Sequence, residues 1–328
     1  SYNALTAICP PNLRVVRSII IDYFTDRWVA QSIIPGLLTQ QSKIIYGHNL
    51  SEERECLRNE EFDAILSQIA KNLGIGPSPV KGTDKPIFCS SELNGVMSTD
   101  GNFYAIDFHR ITPRDANYPD PIKDHGCIIR KEAINTFALC TELEKHDEEL
   151  TALGGDKQFL YHPKQDKDHP LTSEQIEKLE TRRQEIIEQS EGVSFDINAL
   201  TIESAAEKVP DNIIQLSKFL TEVIIPKFIS EDVGTGKHII DGSTIVKEMH
   251  SRGINVRYLG HIYKTIEADQ NMTVQKKAFL VSVESEIISR SFKVIVRTKK
   301  LGVEEFLSQL NLLLGLRENE GEFDLLLL

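Results

Sequence analysis

The first half of the chain alternates short apolar runs with turn residues. Runs rich in β-branched and aromatic side chains at residues 14–23, 28–34 and 43–47 predict three strands. Residues 59–72 instead space their apolar side chains with the 3.6-residue period of an amphipathic helix, which Gly74 ends. The pattern therefore predicts short strands together with a helix that has one apolar face.

A tight turn joins two further predicted strands. Residues 96–98 and 103–108 have strand-like composition and flank the sequence Thr99-Asp100-Gly101-Asn102. An Asp-Gly pair readily adopts the positive φ angles of a two-residue hairpin turn. We therefore expect a β-hairpin here.

Residues 29–38 (VAQSIIPGLL) combine large apolar side chains with small residues and a Pro-Gly turn signal. We expect them to form a buried strand and turn. An unpaired charge in a protein interior costs several kcal/mol, so Ile33→Asp is expected to unfold the domain.

Polarity changes after the predicted helix at residues 128–143. Residues 144–191 are highly charged and carry few large apolar side chains, and Thr172 or Ser173 is placed to cap a charged helix within them. From residue 201 onward, the apolar positions follow helical spacing.

These patterns together predict an α+β fold. We expect a small antiparallel sheet with flanking helices at residues 1–143, a charged insertion or linker at 144–194, and an all-helical part at 195–328.

Composition narrows the class of function. The 328 residues are 40% hydrophobic, which is enough for a sizeable core, and the net charge of −12 argues against a general affinity for nucleic acids or anionic membranes. No apolar run approaches the roughly 20 residues that span a bilayer, so we expect no membrane insertion. The chain starts at Ser1 without Met, and we expect it to be part of a longer protein.

Cysteines and histidines give no sign of a metal centre. The five cysteines are scattered and form no CxxC pair, which favours reduced thiols in the cytoplasm. The nine histidines form neither HxxxH nor HExxH. We therefore expect no metal and no cofactor.

The most distinctive stretch is residues 249–262 (MHSRGINVRYLGHI), where Arg-Gly interrupts a helical pattern. Gly253 suits the left-handed position that ends a helix. One hypothesis is a basic face that binds RNA or a partner, because cations hold phosphates and aromatic rings stack on bases. The other is a buried packing element in which Arg257 pairs with Glu248 or Asp241. The candidate binding residues are Arg252, Arg257, Tyr258, His261 and Lys264.

An enzymatic alternative comes from Asn94 and Asp107. In lipid-kinase-like enzymes, an Asn and an Asp at similar spacing hold the Mg²⁺ that bridges nucleotide phosphates. The position expected for the catalytic base is Cys89, which cannot replace a carboxylate. We therefore expect a non-catalytic protein with no catalytic residues, and keep a kinase-like nucleotide-binding or phosphotransferase domain as the alternative.

A polar cluster follows the predicted strand at residues 103–108. It comprises Asp107, His109, Arg110 and Asp115. We expect a strand end that anchors the Pro-rich loop after it, with Asp107 as a cap or as the ion-pair partner of Arg110 or Arg114. The alternative is a surface that binds a peptide or an RNA phosphate.

Four segments resemble the central domain of the clustered mitochondria (CLU) protein family. They are residues 29–38, 88–112 (FCSSELNGVMSTDGNFYAIDFHRIT), 224–229 before Asp241-Gly242, and 249–260. Residues 287–293 resemble the helix that follows in the family. Residues 144–191 have no clear counterpart, and residues 293–328 depart from the expected pattern.

This resemblance implies a cytoplasmic scaffold rather than an enzyme. Proteins of the family govern the distribution of mitochondria and associate with mRNAs for mitochondrial proteins, with ribosomes and, in some lineages, with translation initiation factor 3. The resemblance therefore implies mRNA, the ribosome or components of that factor as partners. It also implies further domains in the full-length protein, and it assigns no functional residue.

Overall fold

The computed structural model describes residues 8–23, 26–37, 43–48, 56–108, 110–120, 127–234, 241–299 and 302–313. The chain forms two compact units, Ser1–Leu220 (unit 1) and Thr221–Leu328 (unit 2). We had expected domain boundaries after residues 143 and 194. The charged tract instead packs on the preceding helix, Lys131–Glu144, and belongs to unit 1.

Unit 1 is built around a five-stranded sheet with the strand order β1-β7-β6-β4-β5. Its neighbouring strands are antiparallel, except that β1 runs parallel to β7. The predicted hairpin joins β6 to β7, and Gly101 in its turn has a φ angle of 77°. The expected α+β fold with a small sheet on the N-terminal side is confirmed. The strands are β1 (Leu13–Val15), β2 (Ser18–Tyr23), β3 (Asp26–Gln31), β4 (Lys43–His48), β5 (Cys56–Leu57), β6 (Asn94–Met97) and β7 (Phe103–Ile106).

Helix α1 (Glu60–Leu73) is the predicted amphipathic helix, and it packs against this sheet. Phe62 lies between Tyr46 of β4 and Phe103 of β7, with ring centroids 5.2 and 5.5 Å away. Gly95 of β6 is required beneath it, because a Cβ there would lie 2.7 Å from the Phe62 ring. Aromatic packing therefore fixes the helix on the sheet.

The charged tract forms a small layer with an apolar cluster of its own. Thr172 caps its longest helix, and the side chain of Gln175 closes a capping box with it. The cluster consists of Leu143, Leu150, Tyr161, Leu179 and Ile186. The elements are α2 (Lys131–Glu144), α3 (Asp147–Ala152), β8 (Gly155–Asp156), a 3₁₀ turn (Lys157–Phe159), β9 (His162–Pro163) and α4 (Ser173–Gln189). Few apolar residues are enough here because four of the five lie on the buried faces of α2, α3 and α4, where they pack with Tyr161 from the loop after the 3₁₀ turn.

Strands β2 and β3 form a separate two-stranded ribbon whose large apolar side chains are exposed. Ile21 pairs with Trp28 across the ribbon, and both are exposed. The expected burial of residues 29–38 is wrong for Ile33, which is 73% exposed, whereas Ile34 is buried. Successive side chains of an extended chain point to opposite sides, so composition alone does not choose between two adjacent isoleucines.

Helix α5 (Asp211–Phe219) ends unit 1, and the described residues of unit 2 are helices and turns. This confirms the expected helical character of the C-terminal part. Phe228 packs edge-on against Phe279 with ring centroids 6.1 Å apart. None of the described helices is long and apolar enough to cross a membrane. The helices are α6 (Ile225–Phe228), α7 (Gly242–Ser251), α8 (Leu259–Glu267), α9 (Val274–Lys299) and α10 (Val303–Leu313), with π turns at Leu220–Ile224 and Ile229–Val233 and a 3₁₀ turn at Val256–Tyr258.

Candidate functional site

The Arg-Gly motif is the turn between α7 and the 3₁₀ turn that precedes α8. Helix α7 begins at the cap residue Asp241, whose Oδ1 accepts the Thr244 N–H at 2.7 Å. It ends before Gly253, which has a φ angle of 82° as its left-handed position requires. Ile254 then donates its backbone N–H to the Met249 carbonyl at 2.8 Å, and both side chains are buried. The motif is therefore a packed helix–turn–helix corner.

Arg252 points its guanidinium at the π turn of the same unit. Its Nη2 lies 2.8 Å from Oδ2 of Asp232, and its Nη1 lies 3.3 Å from Oε2 of Glu231. Asp232 is completely buried, so Arg252 neutralises a carboxylate that has no access to solvent. Of the two hypotheses for this stretch, the contacts of Arg252 fit the packing element, because they hold the end of α7 against the π turn at Ile229–Val233.

Tyr258 also takes a structural position. Its ring is only 2% exposed and lies edge-on to the His261 ring, with centroids 6.1 Å apart. A buried ring cannot stack on a nucleotide base without leaving its packing site. Of the five residues proposed to bind RNA or a partner, Arg252 and Tyr258 therefore serve the fold in this structure.

The other three residues are exposed and share one face. Arg257, His261 and Lys264 are spaced four and three residues apart, so they follow one another along a helix surface. Gly260 lies between them, and no neighbouring heavy atom is within 4 Å of where its Cβ would be. We call Arg257, Gly260, His261 and Lys264 the basic stripe.

Two acidic residues, Glu267 and Glu284, act on Tyr263 of α8. Glu267 and then burial raise the pKa of the Tyr263 hydroxyl, and Glu284 contributes in the same direction. Tyr263 thus lies beside negative charges.

The two residues of the kinase-like alternative lie at one end of the β6–β7 hairpin. Asn94 opens β6 opposite Ile106, which directly precedes Asp107. Asp107 is exposed and has a left-handed φ of 60°. Cys89, at the position of the missing base, is buried with its Sγ 3.8 Å from the Tyr46 hydroxyl. Among the residues that the structure describes, no three His, Cys, Asp or Glu side chains group as metal ligands would.

Sequence reasoning missed a buried polar junction in unit 1, formed by Ser90, Glu92, Arg110 and Asn198. Arg110 donates to Glu92 Oε2 at 2.7 Å, to Asn198 Oδ1 at 2.8 Å and to Ser90 Oγ at 3.3 Å. It also donates to the Ile197 carbonyl. One guanidinium thus joins the chain near residue 90 to the chain near residue 198.

This junction corrects the expected partner of Arg110. We expected Asp107 to act as a cap or to pair with Arg110 or Arg114, but Arg110 pairs with Glu92. His109 lies outside the described residues. Asn198 is 88 residues from Arg110 in the sequence, and no local pattern links the two. The sequence offers one signal of this junction: polar Asp196 and Asn198 alternate with apolar residues. Both side chains are buried in the structure, and buried polar side chains require hydrogen-bond partners.

The junction sets the charge of Glu92. Burial alone raises the pKa of this carboxyl, but hydrogen bonds from Arg110 and Ser90, together with the positive charge of Arg110, outweigh it and hold the pKa below its ordinary value. Glu92 and Arg110 therefore form an ion pair across the junction.

Two family models match separate parts of the chain. Residues 1–118 match the model described as "Clustered mitochondria", and residues 237–312 match "Translation initiation factor eIF3 subunit 135". The first range holds the five-stranded sheet, and the second holds the basic stripe. Residues 1–118 therefore match the CLU domain of that family, and the chain is similar to clustered mitochondria proteins over most of its length.

Curated relatives extend this similarity beyond the first part of the chain. The clustered mitochondria protein of Arabidopsis thaliana is 29% identical over 286 residues, which cover 77% of this chain and 20% of that protein. The homologue of Dictyostelium discoideum is 29% identical over 312 residues, 84% of this chain and 22% of that protein. The homologue of Caenorhabditis briggsae is 25% identical over 363 residues, 94% of this chain and 28% of that protein.

The chain thus spans 20–28% of the length of these relatives. No solved structure matches it.

Proposed function

We propose that this chain is a non-catalytic, cytoplasmic binding segment of a scaffold that acts in mitochondrial distribution. In this proposal it associates with mRNAs for mitochondrial proteins or with the translation machinery, including components of translation initiation factor 3. The observation that carries the proposal is the basic stripe. It is exposed, and it lies inside the range that matches a subunit of that factor.

The stripe has the chemistry of a phosphate-binding surface. Arg257 and Lys264 present cations to solvent on a chain whose net charge is −12, so the attraction for RNA is local. Gly260 between them leaves room for a sugar-phosphate backbone to approach the helix. Contacts to phosphates of this kind bind without reading the base sequence.

Co-sedimentation with RNA tests the proposal. We expect the double substitution Arg257→Glu/Lys264→Glu to abolish binding of single-stranded RNA, because two attractive charges become repulsive. Lys247→Glu/Lys277→Glu is the matched control, since it makes the same charge change at exposed positions of α7 and α9 off the stripe. Wild-type-like binding by the stripe variant would contradict the proposal.

The salt dependence of binding gives a second readout. Each phosphate contact on a single strand contributes about 0.7 to the slope of log affinity against log salt. Neutral replacement of both cations, Arg257→Gln/Lys264→Gln, is therefore expected to lower that slope by about 1.4. An unchanged slope would mean that the RNA phosphates do not contact Arg257 and Lys264.

The second candidate is a kinase-like nucleotide-binding or phosphotransferase domain. It is favoured by the register that puts Asn94 beside Asp107 at one end of the hairpin. A thermal shift with Mg²⁺ and ATP that is lost in Asp107→Ala would support it. The same melting temperature with and without Mg²⁺ and ATP would remove it.

A further inference from the structure

A cleft of about 650 Å³ opens in unit 1 between helices α1 and α2. One wall is the end of α1 with the turn after it, residues 71–77. A second wall is one side of α2, from Lys131 to Ala138, and residues 190–194 form the third. We call this the α1–α2 cleft, and its volume lies within the range of about 300–1,000 Å³ that is usual for small-molecule sites.

Backbone contacts fix two of these walls to each other. The Gly76 N–H donates to the Phe195 carbonyl at 2.8 Å, and the Phe195 N–H donates to the Gly74 carbonyl at 3.0 Å. Gly74 has a φ angle of 70°, and a Cβ there would lie 2.8 Å from the Val193 carbonyl oxygen. The cleft is therefore preformed, so a ligand loses little affinity to the ordering of its walls.

Part of the lining is apolar. Ile75 is only 4% exposed, and Phe88, Ile134, Ala138 and Val193 are half-buried around it in the lining. A ligand with an apolar body would cover these side chains and remove their surface from water. The lining thus favours a molecule that is larger and less polar than an inorganic ion.

Uncharged polar side chains line the same cleft. Within the part of the chain that the structure describes, none of five such side chains has a hydrogen-bond partner, although one of them, Thr112, is 6% exposed. They are Ser67, Asn72, Thr112, Asn135 and Ser194. These groups are available to orient a polar part of a ligand.

The charge of the lining is positive. Lys71 and Lys131 come from two different walls, and neither forms an ion pair with another described residue. Among the described lining residues, Glu191 is the one carboxylate. Two cations against one anion, on a chain whose net charge is −12, favour a negatively charged ligand at this place.

We propose that the α1–α2 cleft binds a small organic anion that carries an acidic group on an apolar body. Lys71 and Lys131 attract the acidic group, and the apolar body packs against Phe88 and Ile134. The proposal concerns unit 1 and is independent of the basic stripe.

Fluorescence titration of the whole chain with two dyes tests the proposal. Anilinonaphthalene sulfonate combines an aromatic body with an acidic group, and phenylnaphthylamine is its neutral counterpart. We expect Lys71→Gln/Lys131→Gln to bind the sulfonate about tenfold more weakly, because two charge attractions are lost, and to bind the neutral dye as wild type does. Lys85→Gln/Lys208→Gln, which makes the same charge change at exposed positions of unit 1 off the cleft, is expected to bind both dyes as wild type does.

A cavity-filling variant keeps the test decisive if the lysine variant does not fold. Ala138→Trp places a large ring in the cleft and is expected to weaken binding of the sulfonate dye at least tenfold. Decanoate and decyl phosphate are expected to displace that dye, and comparison of the two shows whether a carboxylate or a phosphate is preferred. Decanol, which has the same chain without the charge, is expected to displace it at least tenfold less effectively.

Three results would overturn the proposal. They are no binding of the sulfonate dye to folded wild-type protein, wild-type affinity in both folded cleft variants, and displacement by decanol as effective as by either anion. None of these results bears on the RNA test of the basic stripe, because that test uses different residues and a different ligand.

Discussion

The buried polar junction of unit 1 and the basic stripe of unit 2 both contain arginine, yet the side chains face opposite environments. Arg110 is enclosed by a carboxylate, an amide and a carbonyl that come from distant parts of the chain. Arg257 and Lys264 lie on a helix surface that faces solvent. The comparison teaches that distant partners, rather than neighbours in the sequence, decide whether a cation serves folding or binding.

The same contrast occurs within one motif. Arg252 forms an ion pair with the buried Asp232, whereas Arg257, five residues further along the chain, is exposed. Variants of these residues therefore test the comparison directly, because a folding role predicts loss of stability and a binding role predicts loss of RNA binding.

The largest effect is expected in the N-terminal segment, where two adjacent isoleucines also face opposite environments. Ile34→Asp buries an unpaired charge and is expected to lower the free energy of unfolding by about 4 kcal/mol or to prevent folding. Ile33→Asp, at an exposed position, is expected to change it by less than about 0.5 kcal/mol. Urea unfolding measures both, and equal effects would contradict the described burial.

Loss of the central arginine of the junction is expected to cost about 3 kcal/mol. Arg110→Met leaves Glu92, Asn198 and the Ile197 carbonyl without their donor. The double variant Arg110→Met/Glu92→Met is expected to recover part of this loss, since no charge is left unpaired. Additive losses in the double variant would mean that the two residues do not stabilise the fold as a pair.

Arg252→Met is expected to lower the free energy of unfolding by about 2 kcal/mol, because Asp232 remains buried without its cation. Lys264→Met, at an exposed position of α8 on the other side of the turn, is the matched control, with an expected change below about 0.5 kcal/mol. The comparison would fail if Lys264→Met were the more destabilising of the two.

The smallest effect is a pH dependence from Glu92. Its pKa is lowered in the folded state, so ionised Glu92 stabilises unit 1 above about pH 4.3, and this contribution is lost as pH falls through the folded-state pKa. Because the side chain is 36% exposed, we expect less than about 1 kcal/mol. Glu92→Gln should therefore lose less stability than wild type between about pH 6 and about pH 3 in urea unfolding.

The sequence allowed prediction of those features that depend on local spacing. The period of Phe62, Leu66 and Ile69 defined α1, and the Asp100-Gly101 turn defined the hairpin. The side of the chain on which Ile33 lies was not predictable, because it depends on strand register. Arg110 could not be matched to Asn198 because 88 residues separate them.

The candidate site was predicted less well than the fold. Arg257, His261 and Lys264 are exposed together as a basic face requires, whereas Arg252 and Tyr258 belong to the packing of the corner. A basic or aromatic residue that binds a ligand and one that packs inside the fold look alike in the sequence. For Arg252 the packing role became clear only from its ion pair with the buried Asp232, which comes from a different segment.

Mapping of RNA cross-links on the chain tests the central claim most directly. Single-stranded RNA is cross-linked to the wild-type protein by ultraviolet light, and the modified peptides are identified by mass spectrometry. The account predicts cross-links on the peptide that carries residues 257–264, and their loss in Arg257→Glu/Lys264→Glu but not in Lys247→Glu/Lys277→Glu. Cross-links that map to unit 1, with the stripe peptide unmodified, would contradict it.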